Sequence, residues 1–165
     1  MKIWYDSVSS QYCFPLSKRD IGKLKSHIPS DIWNAVLHIR FGFSSKTSQV
    51  GRLVKRGKFY NIRVNFCLKE VNGNLQSPLL FNGKQYIENV KKYGGKPSLT
   101  TRTISWEFQD AKRYAFDILL HEIGHVIYAE KGLPDSISGG YRRGFPKEEE
   151  WCDNYSTQLI SKIQL

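Results

Sequence analysis

Leu119-Leu120-His121-Glu122-Ile123-Gly124-His125-Val126-Ile127 sets two histidines four residues apart, with a glutamate directly after the first. On a helix, residues four apart lie one above the other on the same face. His121 and His125 therefore present two imidazoles to one metal ion. Glu122 lies about 100° round from His121, where it reaches a water on that metal. The five-residue pattern is short, so its surroundings have to support it.

The surroundings predict a helix over 110–131. The stretch contains no proline, and Gly132 and Pro134 supply a stop. Ala111, Ala115, Ile118, Glu122, His125 and Ala129 run down one side at spacings of three and four. Leu119, Leu120, Ile123, Val126 and Ile127 fill most of the rest. A helix apolar nearly all round is a buried helix. Two histidines and a glutamate inside it are costly unless a partner such as a metal satisfies them.

The chain has 165 residues and a net charge of +10, which suits one domain with a substantial core. No apolar run reaches membrane-spanning length, and the first residues carry no signal-like apolar core, so a cytoplasmic location is expected. Export by a route that needs no such signal remains compatible. Cys13, Cys67 and Cys152 are odd in number and widely spaced. They predict reduced thiols rather than a disulfide framework or a Cys-x-x-Cys metal site. The positive charge favours acidic partners, nucleic acid among them, but the basic residues are dispersed.

Along the chain, Ile3-Trp4-Tyr5 predicts a first strand. Ser17-Lys18-Arg19-Asp20 resembles a capping box that opens a helix over 18–27. A second helix begins near Ser30 or Asp31, and 36–43 alternates well enough to be a strand. Leu53-Val54-Lys55, the turn at Arg56-Gly57, and alternation over 59–68 predict a hairpin. Val71-Asn72-Gly73-Asn74 is a turn. A helix over 82–93 ends at Gly94-Gly95 and Pro97. A strand over 101–108 leads into the His121 helix, and a last helix runs over 147–163.

Catalytic zinc takes three protein ligands and keeps a fourth position open. A third histidine six residues after His125 would complete one such set, but that position is Lys131. Tyr128 stands where that set needs glycine. His27 and His38 carry no supporting pattern. The last helix is a better source. Its apolar face is Cys152, Tyr155, Leu159 and Ile163. Glu148 and Glu149 both lie near it, and Glu150 points away. Glu149 also has an acidic partner one turn on, Asp153. Glu149 is thus the preferred third ligand and Glu148 its rival, with Asp153 accepting an N–H from a ligand histidine.

His121-Glu122-Ile123-Gly124-His125 followed by Glu149-x-x-Cys152-Asp153 resembles the gluzincin class of zinc metallopeptidases, H-E-x-x-H…E-x-x-x-D. Residues 116–125 also resemble the active helix of ImmA/IrrE-type peptidases. The glutamate segment is as close to the lethal-factor-like group. The resemblance covers roughly residues 106–163 and does not single out a subfamily.

The resemblance implies an α+β, minimal zincin-like domain. In it a small, mostly antiparallel or mixed sheet packs on the active helix, and a C-terminal helix carries the third ligand. It implies a Zn cofactor on His121, His125 and Glu149, and a peptidase in which Glu122 is general base. It implies a protein substrate bound as an added strand, with 101–108 as the strand beside the cleft. Such peptidases also carry an oxyanion-steadying residue; Tyr141 is the candidate, with Arg142 and Arg143 as rivals. Two variants of the reading stay open: a basic, nucleic-acid-associated zincin acting on DNA-bound or regulatory proteins, and a secreted or injected toxin protease.

Overall fold

A computed structural model describes residues 1–42, 50–80, 83–133 and 146–163. The fold is α+β, with two sheets among the described residues. The first half contributes β1 (Lys2–Tyr5), β2 (Tyr12–Cys13), α1 (Lys18–Lys23) with a 3-10 turn behind it, and α2 (Ser30–Ala35). Then come β3 (Val36–Phe41), β4 (Gly51–Arg56), β5 (Phe59–Val64), β6 (Leu68–Val71) and β7 (Asn74–Pro78). The rest is α3 (Lys84–Lys92), β8 (Lys96–Ser98), β9 (Thr103–Trp106), α4 (Phe108–Glu130) and α5 (Pro146–Ile160).

The four-stranded sheet has the order β1-β3-β5-β4. β1 and β5 flank β3 in parallel, and β4 closes one edge antiparallel to β5. The β4–β5 hairpin turns at Gly57, whose φ of 60° is a value glycine adopts without strain. The five-stranded sheet, β2-β6-β7-β9-β8, is antiparallel throughout.

Local chemistry explains several boundaries. The Ser17 side chain accepts from the Asp20 N–H while the Asp20 carboxylate accepts from the Ser17 N–H, a complete capping box. Asp20 also meets Lys112 at 2.8 Å, which ties α1 to α4. α2 gives way to β3 at Val36, where the β-branched alternation begins. α3 ends before Gly94, which takes a φ of 82°.

α4 begins two residues before the stretch read from sequence and ends one residue short of it. It is buried along most of its length, as an all-round apolar helix should be. Its first turns lie against the second sheet, where Tyr114 stacks on Trp106 at 5.1 Å. It also packs on β4 and β5 on one side and on α5 on the other. The buried hydrophobic residues form one contiguous cluster that takes in both sheets and α4.

Two expectations are corrected. One small sheet was too little: Asn72-Gly73, read only as a turn, joins two strands, β6 and β7, with φ of 51° and 77° at its centre. Pro97, read as a helix stop, stands in β8 at a sheet edge, where a missing N–H costs little. The second correction concerns 101–108 as a strand that borders the cleft and accepts substrate. β9 lies between β7 and β8, so both its edges are already paired.

All three cysteines are free, Cys13 exposed and the other two buried. Among the described residues no helix is long and apolar enough to cross a membrane.

Candidate metal centre

The site lies where α4 and α5 pack against each other. Gly124 makes the approach close: a Cβ there would sit 3.2 Å from the Cα, Cβ and Sγ of Cys152. With a small residue on each side, the two helices bring the imidazoles of α4 to the first turn of α5. His121 and His125 sit one turn apart, and their Nε2 atoms are 3.1 Å from each other. Glu149 completes the group, with Oε2 3.2 Å from His121 Nε2 and Oε1 3.7 Å from His125 Nε2. One donor atom from each of the three residues lies within 4.8 Å of the others.

The outer nitrogens are held by carboxylates. His121 Nδ1 meets Asp153 Oδ1 at 2.8 Å. His125 Nδ1 meets Glu148 Oε1 at 2.6 Å. A carboxylate accepts, so each Nδ1 donates, and in a neutral ring the lone pair is left on Nε2. Two such lone pairs 3.1 Å apart repel unless a cation or a proton lies between them. Tetrahedral zinc with nitrogens at about 2.05 Å would set them about 3.3 Å apart. The donor set and the spacings therefore fit a tetrahedral cation such as zinc.

Electrostatics agree with a site that needs a cation. Burial alone would lower the pKa of His121. The hydrogen bonds to Asp153 and Glu149 outweigh it, helped by the charge of Glu122, and raise it to about 10. In the metal-free protein the imidazolium thus stands in for the metal. The bond from His121 holds the Glu149 carboxyl below its ordinary value although burial opposes this. Glu122 behaves differently. Burial, with a further push from Glu149, raises it to about 7 even though His121 pulls the other way. A carboxylate poised near neutral pH suits proton transfer.

The floor beneath Glu122 is Gly51, the first residue of β4. A Cβ at that position would collide with the Glu122 carboxylate. The Glu122 carboxylate thus occupies the space that glycine leaves at a sheet edge.

His121, His125, Glu149, Glu122 and Asp153 thus converge. Tyr141, with its rivals Arg142 and Arg143, lies outside the described residues. Glu148, the rival ligand, stands elsewhere: it is fully buried, behind His125. The signal was in the helix itself. Glu148, Cys152, Ser156 and Leu159 make up the buried face of α5 at helical spacing, and a carboxylate on such a face requires a buried donor. Gly51 left no signal, because its neighbour is distant in sequence.

No protein-family model, curated protein or solved structure matches the chain.

Proposed function

We propose that the chain is a zinc metallopeptidase of the gluzincin type with a zincin-like arrangement, hydrolysing a peptide bond of a protein substrate. The observation that carries this reading is the convergence of His121, His125 and Glu149 beside a buried, near-neutral Glu122. Each histidine is locked by its own carboxylate, the support that catalytic metal sites use to fix ring orientation. Zinc in this site supplies the positive charge that acidifies a water and polarises the scissile carbonyl.

The chain's own residues supply the rest. Glu122 accepts the proton of the attacking water at its carboxylate and passes it to the leaving amine. Asp153 and Glu148 keep the two Nε2 lone pairs aimed inward. The substrate lies extended along β4. That strand closes the four-stranded sheet, has an unpaired edge among the described residues, and meets Glu122 at Gly51. Residues 101–108 do not serve, because β9 is paired on both edges.

The decisive experiment pairs metal analysis with cleavage of a fluorogenic peptide library, for the wild type, Glu149→Ala and Glu122→Gln. The wild type should hold about one zinc per chain and cleave, as three protein ligands imply. Glu149→Ala should lose zinc and cleavage together, and Glu122→Gln should keep zinc and lose cleavage. A wild type without near-stoichiometric zinc sinks the reading, and cleavage retained by Glu122→Gln removes Glu122 as the base.

A further inference from the structure

The face of the four-stranded sheet turned away from α4 has no part in the metal centre. Strand register places Trp4, Arg40, Arg63 and Arg52 side by side, one each from β1, β3, β5 and β4. Their strand neighbours Ile3, Ile39, Ile62 and Leu53 face the core. Alternation therefore sends the four to the outer face as one row across the whole sheet. Trp4 is 55% exposed and the Arg40 side chain 56%.

Like charges on directly opposed strand positions repel, so three arginines in a row are a cost to the fold. Asp6 offsets part of it, with Oδ1 2.5 Å from Arg40 Nε and Oδ2 3.7 Å from Arg63 Nη2. One carboxylate does not neutralise three guanidinium groups. Arg52 has no ion pair among the described residues. The Nε of Arg63 is shut off from solvent and meets no acceptor among them. The row is a strip of positive charge that Asp6 only partly offsets.

We infer that this face binds single-stranded nucleic acid, with Arg40, Arg63 and Arg52 on phosphates and a base stacked on Trp4. Neighbouring strands lie about 4.8 Å apart, so the three arginines span about 10 Å, room for consecutive phosphates. The planar guanidinium matches phosphate geometry. An indole at the end of a basic row is a stacking platform that accepts any base. The His38 ring stands edge-to-face with it, at 6.0 Å between centroids. An acidic protein would use the arginines and leave the indole idle. A duplex groove admits a helix or a two-stranded ribbon, not a face four strands wide.

The test is fluorescence anisotropy of a labelled 20-nucleotide single strand against the full-length chain at low salt. Two double variants carry the same change of charge: Arg40→Glu with Arg52→Glu on the sheet, and Lys91→Glu with Lys92→Glu on α3. The sheet pair should abolish binding and the α3 pair should leave it within about two-fold, because α3 lies off the face. Trp4→Ala should weaken binding roughly five- to a hundred-fold. The slope of log affinity against log salt should be about −2 for three phosphate contacts, and shallower in each arginine variant. Arg40→Gln with Arg52→Gln, which adds no negative charge, repeats the loss if the glutamates disturb the sheet, and near-UV circular dichroism confirms folding. Equal loss from both double variants means diffuse attraction by net charge and overturns the proposal. So does an unchanged affinity in Trp4→Ala, or better competition by a poly-glutamate peptide or by anionic vesicles. The inference does not depend on the metallopeptidase reading and can fail or hold without it.

Discussion

The two histidines of the candidate centre stand one turn apart on one helix and face the same point, yet their supports differ. Behind His125 lies Glu148, with no exposed surface. Behind His121 lies Asp153, whose side chain is 63% exposed. The hydrogen bonds are similar in length, 2.6 and 2.8 Å. The difference is solvent. Water can replace Asp153 and satisfy His121 Nδ1, whereas His125 Nδ1 points at a carboxylate with no exposed surface. One half of the centre is therefore part of the core, and the other half is part of the surface.

Glu148→Ala tests that distinction most severely. It leaves a buried imidazole N–H without an acceptor and opens a cavity between α4 and α5. Zinc affinity, measured by competition with a chromophoric chelator, should fall about 100-fold, the upper end for residues that orient metal ligands. The midpoint of thermal unfolding of the metal-free protein should fall by roughly 4–8 °C. If Glu148→Ala binds zinc as the wild type does, the centre has no dry half.

Gly51→Ala reaches the centre from the sheet side. The new Cβ would displace the far end of the Glu122 side chain rather than backbone. Zinc content and unfolding temperature should stay near wild type while turnover drops by about 100-fold, the cost of moving a base by about 1 Å. Loss of zinc in this variant would mean that Gly51 supports the ligands and not the base.

Asp153→Asn should do less than either. Zinc affinity should weaken by about ten-fold, with little change in the thermal stability of the zinc-bound protein, because water reaches the vacated place. A loss as large as that of Glu148→Ala would erase the contrast between the halves.

A further expectation, read on stability rather than on metal binding, is a pH dependence of the metal-free protein. His121 is raised from 6.5 to about 10 on folding, so the folded state holds its proton more tightly than the unfolded state. Its contribution is complete below about pH 6.5 and is lost as pH rises toward 10. Thermal midpoints of chelator-treated protein should therefore decline across that window, and Asp153→Asn should flatten the decline. An unchanged slope in Asp153→Asn would remove that carboxylate as the source of the shift.

Much of the site was legible because it is local or periodic. His121, Glu122 and His125 follow from a spacing of four on an apolar helix. A second spacing of four on another helix favours Glu149 with Asp153, and leaves Glu148 as a rival. The capping box at Ser17 and Asp20 and the stop at Gly94 were legible for the same reason. The second sheet was not. Its strands are short, one contains Pro97, and its register joins residues far apart in sequence.

By itself the sequence determined the residue types and their helical phases. Those depend only on chain geometry, which repeats every 3.6 residues whatever the neighbours are. The tertiary structure decided which carboxylate faces the shared point and which stands behind it. Glu148 and Glu149 are adjacent and chemically identical, and only the packing of α5 on α4 at Gly124 and Cys152 turns one into the core and the other toward the histidines. It likewise put Gly51 beneath Glu122 and lined up Trp4, Arg40, Arg63 and Arg52. Register between distant strands is set by the whole core, and no local pattern encodes it.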